Sequence, residues 1–326
     1  MDHLPEELRA QLAEQSKQCL FCRIISGEVD ARKVYEDELL LAILDVNPAC
    51  KGHTLLVPKE HYPILPFLAP ETFAHLFGVL PRISKAVMEG SVRTGMTVFI
   101  ASGGAAGQRS PHLVVHLIPR EAGDGLTSLH VPAGDARGDA DRDNLVRVLS
   151  QNLPLMLARH AQRHPDLVPG GPGAASGGAI YEDDVISCAL ADSPAGRGHL
   201  VIRPREGFFD LGFDEAAHLF FVASFAATAL FESLGAQGTN IVCNAGAFDG
   251  SDGAVHVLAR FEGDGLDFLW EPGRAEGLDA MASKIRDKSV FVEHAVRSGE
   301  HRRKRVVRSA EDEIRDAISA VISGRG

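Results

Sequence analysis

The sequence has no uninterrupted apolar run of about 18 residues, the length a membrane-spanning helix needs. Its opening stretch, MDHLPEELRAQLAEQ, is charged and helical in character and lacks the apolar core of a secretory signal. No membrane partner is therefore expected. Cysteine is scarce and odd in number: Cys19, Cys22, Cys50, Cys188 and Cys243. The odd count and irregular spacing argue against a disulfide framework and point to a reducing, cytoplasmic compartment. Positive charge is short as well. The 33 Lys and Arg against 44 Asp and Glu leave a formal net charge of −11. A general nucleic-acid binder needs a broad basic footprint, so nucleic acid is not an expected partner. The local exception is HRRKRVVR at 301–308, whose ordinary role is a solvated helix face, the alternatives being a nucleic-acid or a partner contact.

What is present is ordinary for a globular chain: 45% hydrophobic and 24% charged residues. A length of 326 residues can build two modest domains, each with its own core.

The chain repeats itself. Tyr35-Glu36-Asp37-Glu38 recurs as Tyr181-Glu182-Asp183-Asp184, and Lys51-Gly52-His53 recurs as Arg197-Gly198-His199. His75-Leu76-Phe77 recurs as His218-Leu219-Phe220. His116-Leu117-Ile118-Pro119-Arg120 recurs as His256-Val257-Leu258-Ala259-Arg260, and Asp124-Gly125-Leu126 as Asp264-Gly265-Leu266. Five matches in one order mark a duplicated domain.

Within each copy the periodicities are readable. Residues 39–46, 53–60, 97–102 and 112–119 are short apolar runs that suit buried strands. Residues 71–90 carry apolar positions at helical spacing, with Pro81 predicting a kink or a break. The unit is strand-rich with one long crossing helix, an α+β domain. The chain divides into an N-terminal helix (1–17), a first copy (18–132) and a helix with a Gly- and Pro-rich linker (133–179). A degenerate second copy (180–285) and a basic helical tail (286–326) follow.

Three constellations could carry chemistry. Cys19-Leu20-Phe21-Cys22 can clasp one zinc ion from a tight turn, given two more ligands. His53 and His112, each at a strand start, are candidates; the competing reading is half-buried cysteines and structural histidines. Gly103-Gly104-Ala105-Ala106-Gly107-Gln108, followed by Arg109, can bring backbone N–H groups to a phosphate, or can be a flexible hairpin. In His112-Leu113-Val114-Val115-His116 the alternating positions share one face of a strand, so two imidazoles would flank an apolar side chain. His61 reads as a surface residue. His75 and His218 read as packing or surface residues of the long helices.

CLFCRIISGE, YEDE, AILDVNP, KGHTLLVPKEHY, GQ and HLIPR follow one another as in the histidine-triad (HIT) superfamily, which residues 19–126 resemble; a degraded likeness covers 180–266. The resemblance implies a nucleotide site. Asp45 would hold the ribose, Ile43, Leu44 and Val46 would pack on the base, and Gly107, Gln108, Arg109 and His116 would face the phosphate. It also implies a structural zinc site in the first copy at Cys19, Cys22, His53 and His112. In the family the middle histidine of His-φ-His-φ-His, where φ is apolar, attacks the α-phosphate and carries the nucleotide. Here that position is Val114, and in the second copy it is Ala254, preceded by Asp252 and followed by His256. Ala191 stands where Asp45 would recur. Single-domain relatives pair through a continuous sheet, so a tandem chain implies an intramolecular pseudo-dimer, monomeric or further self-associated.

The reading that follows is a nucleotide-binding or regulatory protein whose ligand is a purine nucleotide or a nucleotide conjugate. The alternatives are a hydrolase or nucleotidyl transferase of altered mechanism, with His116 as acid or base and no covalent nucleotidyl-histidine, and a structural interaction module.

Overall fold

The computed structural model describes residues 3–134, 142–163, 179–273 and 276–298. The Gly- and Pro-rich linker and the basic run at 301–308 lie outside the described residues, apart from the linker's last position.

Ten strands form one antiparallel sheet in the order β1-β2-β3-β5-β4-β9-β10-β8-β7-β6. In the first half these are β1 (Lys33–Glu36), β2 (Leu40–Leu44), β3 (Thr54–Pro58), β4 (Gly95–Ser102) and β5 (Val115–Arg120). The second half contributes β6 (Tyr181–Glu182), β7 (Ile186–Leu190), β8 (Leu200–Pro204), β9 (Gly238–Gly246) and β10 (Val255–Arg260). The expected strands at 39–46, 53–60, 97–102 and 112–119 correspond to β2, β3, β4 and β5. Read outward from the centre, both halves repeat the same order. The seam is the β4–β9 pair, which runs from Gly95 opposite Gly246 to Ser102 opposite Thr239. A seam made of ladder hydrogen bonds leaves neither β4 nor β9 as an open sheet edge.

One face of the sheet is covered by helices. α3 (Pro70–Gly90) follows β3, and α5 (Phe213–Leu234) follows β8. They meet across the seam, where Phe77 stacks on Phe220 with centroids 4.5 Å apart and Phe73 stacks on Phe221 at 4.2 Å. Gly78 is required at this crossing, because a Cβ there would collide with the Phe213 ring. Of the expected kink or break at Pro81, the break does not occur: α3 runs through it. The proline removes one intrahelical N–H, but α3 is buried along most of its length and packing holds it together.

α5 is long and apolar enough to cross a membrane by length and composition, although no uninterrupted apolar run in the sequence reaches that length. Its apolar residues are instead the core of this fold, with Leu219, Phe220, Val222 and Leu230 fully buried.

Two further helices are exchanged between the halves. α4 (Arg142–Arg163) follows the first half yet packs on α5, burying Leu145, Leu149, Leu153 and Leu157 at close to helical spacing. α6 (Leu278–Ser298) follows the second half yet packs on α3 and β1. A Cβ on Gly90 would lie 2.8 Å from the Ile285 Cα. A boundary drawn at 285/286 therefore falls inside one helix.

The repeated sequence motifs mark repeated corners. Asp37 accepts hydrogen bonds from Tyr35 Oη (2.5 Å), His75 Nε2 (2.7 Å) and the N–H groups of Leu39 and Leu40. Asp183 does the same with Tyr181, His218 and the N–H groups of Val185 and Ile186. Each corner ties a hairpin to its crossing helix, which gives His75 and His218 a packing role.

Candidate functional site

The other face of the sheet carries the site. α1 (Glu6–Gln18) leads into α2 (Leu20–Ile25), a short helix that buries Ile24 and ends at Gly27, whose φ of 83° suits glycine. Cys19 is the N-cap of α2 and Cys22 lies in its first turn, so spacing i, i+3 brings both sulfurs to one side.

His112 completes this corner. Its Nε2 donates to the Pro58 carbonyl at 2.9 Å, which leaves the Nδ1 lone pair facing Cys19 Sγ at 3.6 Å and Cys22 Sγ at 3.7 Å. The fourth member is His61, whose Nδ1 lies 3.3 Å from Cys22 Sγ. All four ligand atoms lie within 4.8 Å of one another. Tetrahedral zinc with two sulfurs and two nitrogens separates its ligand atoms by roughly 3.3–3.8 Å, so the donor set fits that ion. Burial, and then the Cys19 thiol beside it, push the Cys22 thiol up to about 12, as expected of paired sulfurs with no cation to favour their ionisation.

Two sequence expectations change here. His61 is not a surface residue; it is 3% exposed and belongs to the thiol cluster. His53 does not belong to it. The reason is register: β3 runs antiparallel to β5 with Leu55 opposite His116. His53, just before β3, must then lie at the His116 end, while His112 is four residues away, roughly 13 Å along a strand. The far end of β3 delivers His61 to His112 instead.

His53 heads a relay. The Ala49 N–H donates to His53 Nδ1 at 3.0 Å, so the ring carries its proton on Nε2 and donates to His116 Nδ1 at 3.1 Å. His116 therefore holds its own proton on Nε2. Burial keeps both rings well below the usual histidine range, so both are neutral near pH 7. Asp45 stands beside them, with Oδ2 3.5 Å from His53 Nδ1 and Oδ1 accepting the Asn47 N–H.

A cavity of about 820 Å³ opens between these groups. Every residue expected to contact nucleotide lines it: Ile43, Leu44, Asp45, Val46, Gly107, Gln108, Arg109 and His116. Strand alternation sends Ile43 toward the cavity side and Leu44 into the helix-side core. Val114 lines the cavity between His112 and His116, while Leu113 and Val115 are buried in the core. The Gly-rich loop is held by Gln108. Its Oε1 accepts the Gly103 N–H at 2.7 Å, and its Nε2 donates to Pro63 and Ser110 carbonyls. Gln108 thus shapes the loop, and exposed Arg109 is the cation at the mouth.

The sequence reading missed two walls. Phe21, Ile24 and Val29, next to the thiol cluster, make one apolar side. Leu266, Phe268, Leu269 and Trp270 make the opposite side, and they come from the second half. Trp270 stands edge-on to His53 (5.4 Å) and His116 (5.3 Å). It is the chain's single tryptophan, in a segment following the repeated Asp-Gly-Leu, which was the available signal.

The second half rebuilds the relay in different surroundings. Ala195 N–H donates to His199 Nδ1, His199 Nε2 to His256 Nδ1 (2.9 Å), and His256 Nε2 to Asp252 Oδ2 (3.0 Å). Ala191, Val201 and Ala254 close into a small buried apolar cluster there.

Comparison with known proteins converges on the same region. The model of the HIT domain matches residues 26–123. Protein hit of Bacillus subtilis (strain 168) is 33% identical over 139 residues, covering 42% of this chain and 96% of that protein. The adenylylsulfatase HINT3 of Arabidopsis thaliana is 41% identical over 108 residues, covering 33% of this chain and 55% of that protein, so the match spans about half of the relative's length. The adenosine 5'-monophosphoramidase hnt1 of Schizosaccharomyces pombe is 33% identical over 102 residues, covering 31% of this chain and 74% of that protein.

Proposed function

Because the chain belongs to the HIT domain family, we propose that it is a tandem pair of HIT-like halves, an intramolecular pseudo-dimer, in which the first half binds a purine nucleotide or nucleotide conjugate and neither half carries the nucleophilic histidine. The two halves of the sheet repeat one strand order about the β4–β9 seam. Relatives named for adenylylsulfate and adenosine monophosphoramidate hydrolysis support a nucleotide or a nucleotide conjugate as ligand.

The observation that carries the reading is Val114 in the cavity wall, where the family places its nucleophile. Valine has no lone pair with which to attack phosphorus. His116 does not replace it. Its Nδ1 lone pair is taken by His53, and its Nε2 bears a proton. In this state the ring is neither base nor nucleophile but a hydrogen-bond donor, suited to a phosphate oxygen. Asp45 suits ribose hydroxyls, Ile43 with Phe21 and Ile24 suits a flat base, and Arg109 with the Gly-rich loop suits the phosphate.

Cys19, Cys22, His61 and His112 would hold a zinc ion. The metal would supply a structural clasp, fixing α2 and therefore the Phe21 and Ile24 wall. A second reading, an enzyme of altered mechanism, draws on the hydrolytic activities those relatives are named for and on His116: a bound dianion would raise the affinity of its ring for a second proton taken from solvent, and the resulting imidazolium would pass its Nε2 proton to the leaving group.

The experiment is to titrate metal-replete protein with AMP and to incubate it with adenosine 5'-phosphoramidate and adenylylsulfate. Micromolar binding without AMP release is expected. Release lost in His116→Ala establishes the second reading instead. A trapped phospho-histidine linkage to the nucleotide would overturn the first.

A further inference from the structure

The second half does more than close the cavity. Asn240, on β9, is fully buried at the seam. Its Nδ2 crosses into the first half and donates to the Ala106 carbonyl at 3.0 Å, inside the Gly-rich loop. Its Oδ1 accepts from Arg260 Nη1. Arg260 is itself 5% exposed, grips Asp264 through Nε (2.7 Å) and Nη2 (3.0 Å), and donates to the Leu266 carbonyl. Leu266 begins the wall that carries Phe268 and Trp270. One chain of hydrogen bonds therefore joins the Gly-rich loop to the Trp270-bearing wall of the first half's cavity, and its side chains belong to the second half.

The surrounding backbone is fitted to this contact. A Cβ on Gly238 would lie 2.8 Å from the Ser102 carbonyl oxygen and 2.9 Å from the Ala106 nitrogen; one on Gly103 would lie 2.7 Å from the Gln237 carbonyl oxygen. The loop is thus seated on bare backbone and held by an amide. The matching position on the other side of the seam is different. There Arg120 Nη1 donates to Thr97 Oγ1 (2.8 Å), and Thr97 donates to Asn244 Oδ1 (2.7 Å). Asn244 Nδ2 reaches the Leu129 carbonyl (3.4 Å) rather than a Gly-rich loop. The threonine satisfies its arginine and crosses the seam only as far as the Asn244 side chain.

We infer that Asn240, braced by Arg260, is a positioning residue for the first half's ligand site: it sets the Gly-rich loop against the Trp270 wall, so that the phosphate-facing geometry depends on the second half. This rests on the nucleotide-binding reading for its ligand but not for its structural consequence. Losing one buried hydrogen bond while orphaning the Ala106 carbonyl corresponds to about a tenfold change in an opening or binding equilibrium.

The test uses the full chain with Asn240→Thr, which copies the arrangement around Thr97 and keeps a partner for Arg260, and Asn240→Asp, which keeps the volume but removes the donor. Amide hydrogen exchange is followed without ligand at residues 103–108, with residues 54–58 of β3 as internal reference. AMP and adenosine are then titrated as probes. Exchange at 103–108 should rise about tenfold in both variants with β3 unchanged, and AMP affinity should fall about tenfold with adenosine affinity unchanged. Unchanged exchange in both variants would overturn the inference, as would equal losses for AMP and adenosine. If the unsubstituted chain binds neither probe, the nucleotide reading fails, and the exchange result alone decides whether Asn240 holds the loop.

Discussion

The two halves share a strand order, a Tyr-Asp-His corner and a two-histidine relay, yet the two relays end on different groups. In the first half the relay ends at His116 Nε2–H on the cavity wall. In the second it ends on the Asp252 carboxylate, which takes the hydrogen bond that a ligand anion would otherwise receive. The first half also has α2 with its two cysteines, and Asp45 where the second has Ala191. The sheet and its crossing helix are the common scaffold. What makes a site is added at the edges: the N-terminal helix, the Gly-rich loop, and a wall lent by the other half. Carrying both halves in one chain lets those additions differ, because each half then meets a fixed partner.

This contrast can be broken most sharply at the thiol cluster. Cys19→Ser with Cys22→Ser should abolish zinc retention in the purified protein, measured by elemental analysis, and should also cost at least tenfold in AMP affinity because α2 loses its anchor. Retained zinc would remove the cluster as its site. Next in size is the relay. His116→Ala should weaken AMP binding about tenfold, the loss of one charge-assisted hydrogen bond, whereas His256→Ala should leave calorimetric AMP affinity unchanged. Equal effects from both variants would mean that the halves are not divided in function.

A pH series should report the buried relays together. Burial depresses His53 and His116, and His199 is pushed down to about 3. Between about 6.5 and about 3 the unfolded chain binds protons that the folded chain refuses, so stability must fall as pH falls through that window. The slope is of order 1 kcal/mol per pH unit for each histidine. Urea midpoints at pH 7.5 and pH 5 check the sign. His199→Gln should flatten the slope by about one proton's share. The smallest effect belongs to Asp252→Asn. It removes the carboxylate that His256 faces, and the unfolding free energy from urea titration should fall by about 1 kcal/mol or less, since Asp252 is partly exposed.

Much of the first half was legible because its signals are local. β2, β3 and β4 follow from apolar runs, and α3 from spacing, while the continuity of α3 through Pro81 was not legible because burial around a helix is invisible in its own sequence. The cavity residues could be named because each stands in a contiguous motif. His61 and His53 were exchanged for a different reason. Both lie in the segment 53–61, and choosing between them needed the antiparallel register of β3 on β5.

The sequence by itself determined that five motifs recur in one order, which segments of the first half are strands and helix, that Val114 stands midway between His112 and His116, and that Cys19 and Cys22 form a pair. These are properties of neighbours along the chain, fixed by side-chain type and period. Tertiary structure alone decided that His61 joins the thiols, that α4 and α6 are exchanged between the halves, and that Asn240 and Trp270 serve a cavity in the other half. Those contacts join residues far apart in the chain, 134 positions for Asn240 and Ala106, or depend on which end of one strand meets which end of another. They are set by pairing register and packing, and local propensity carries no record of either.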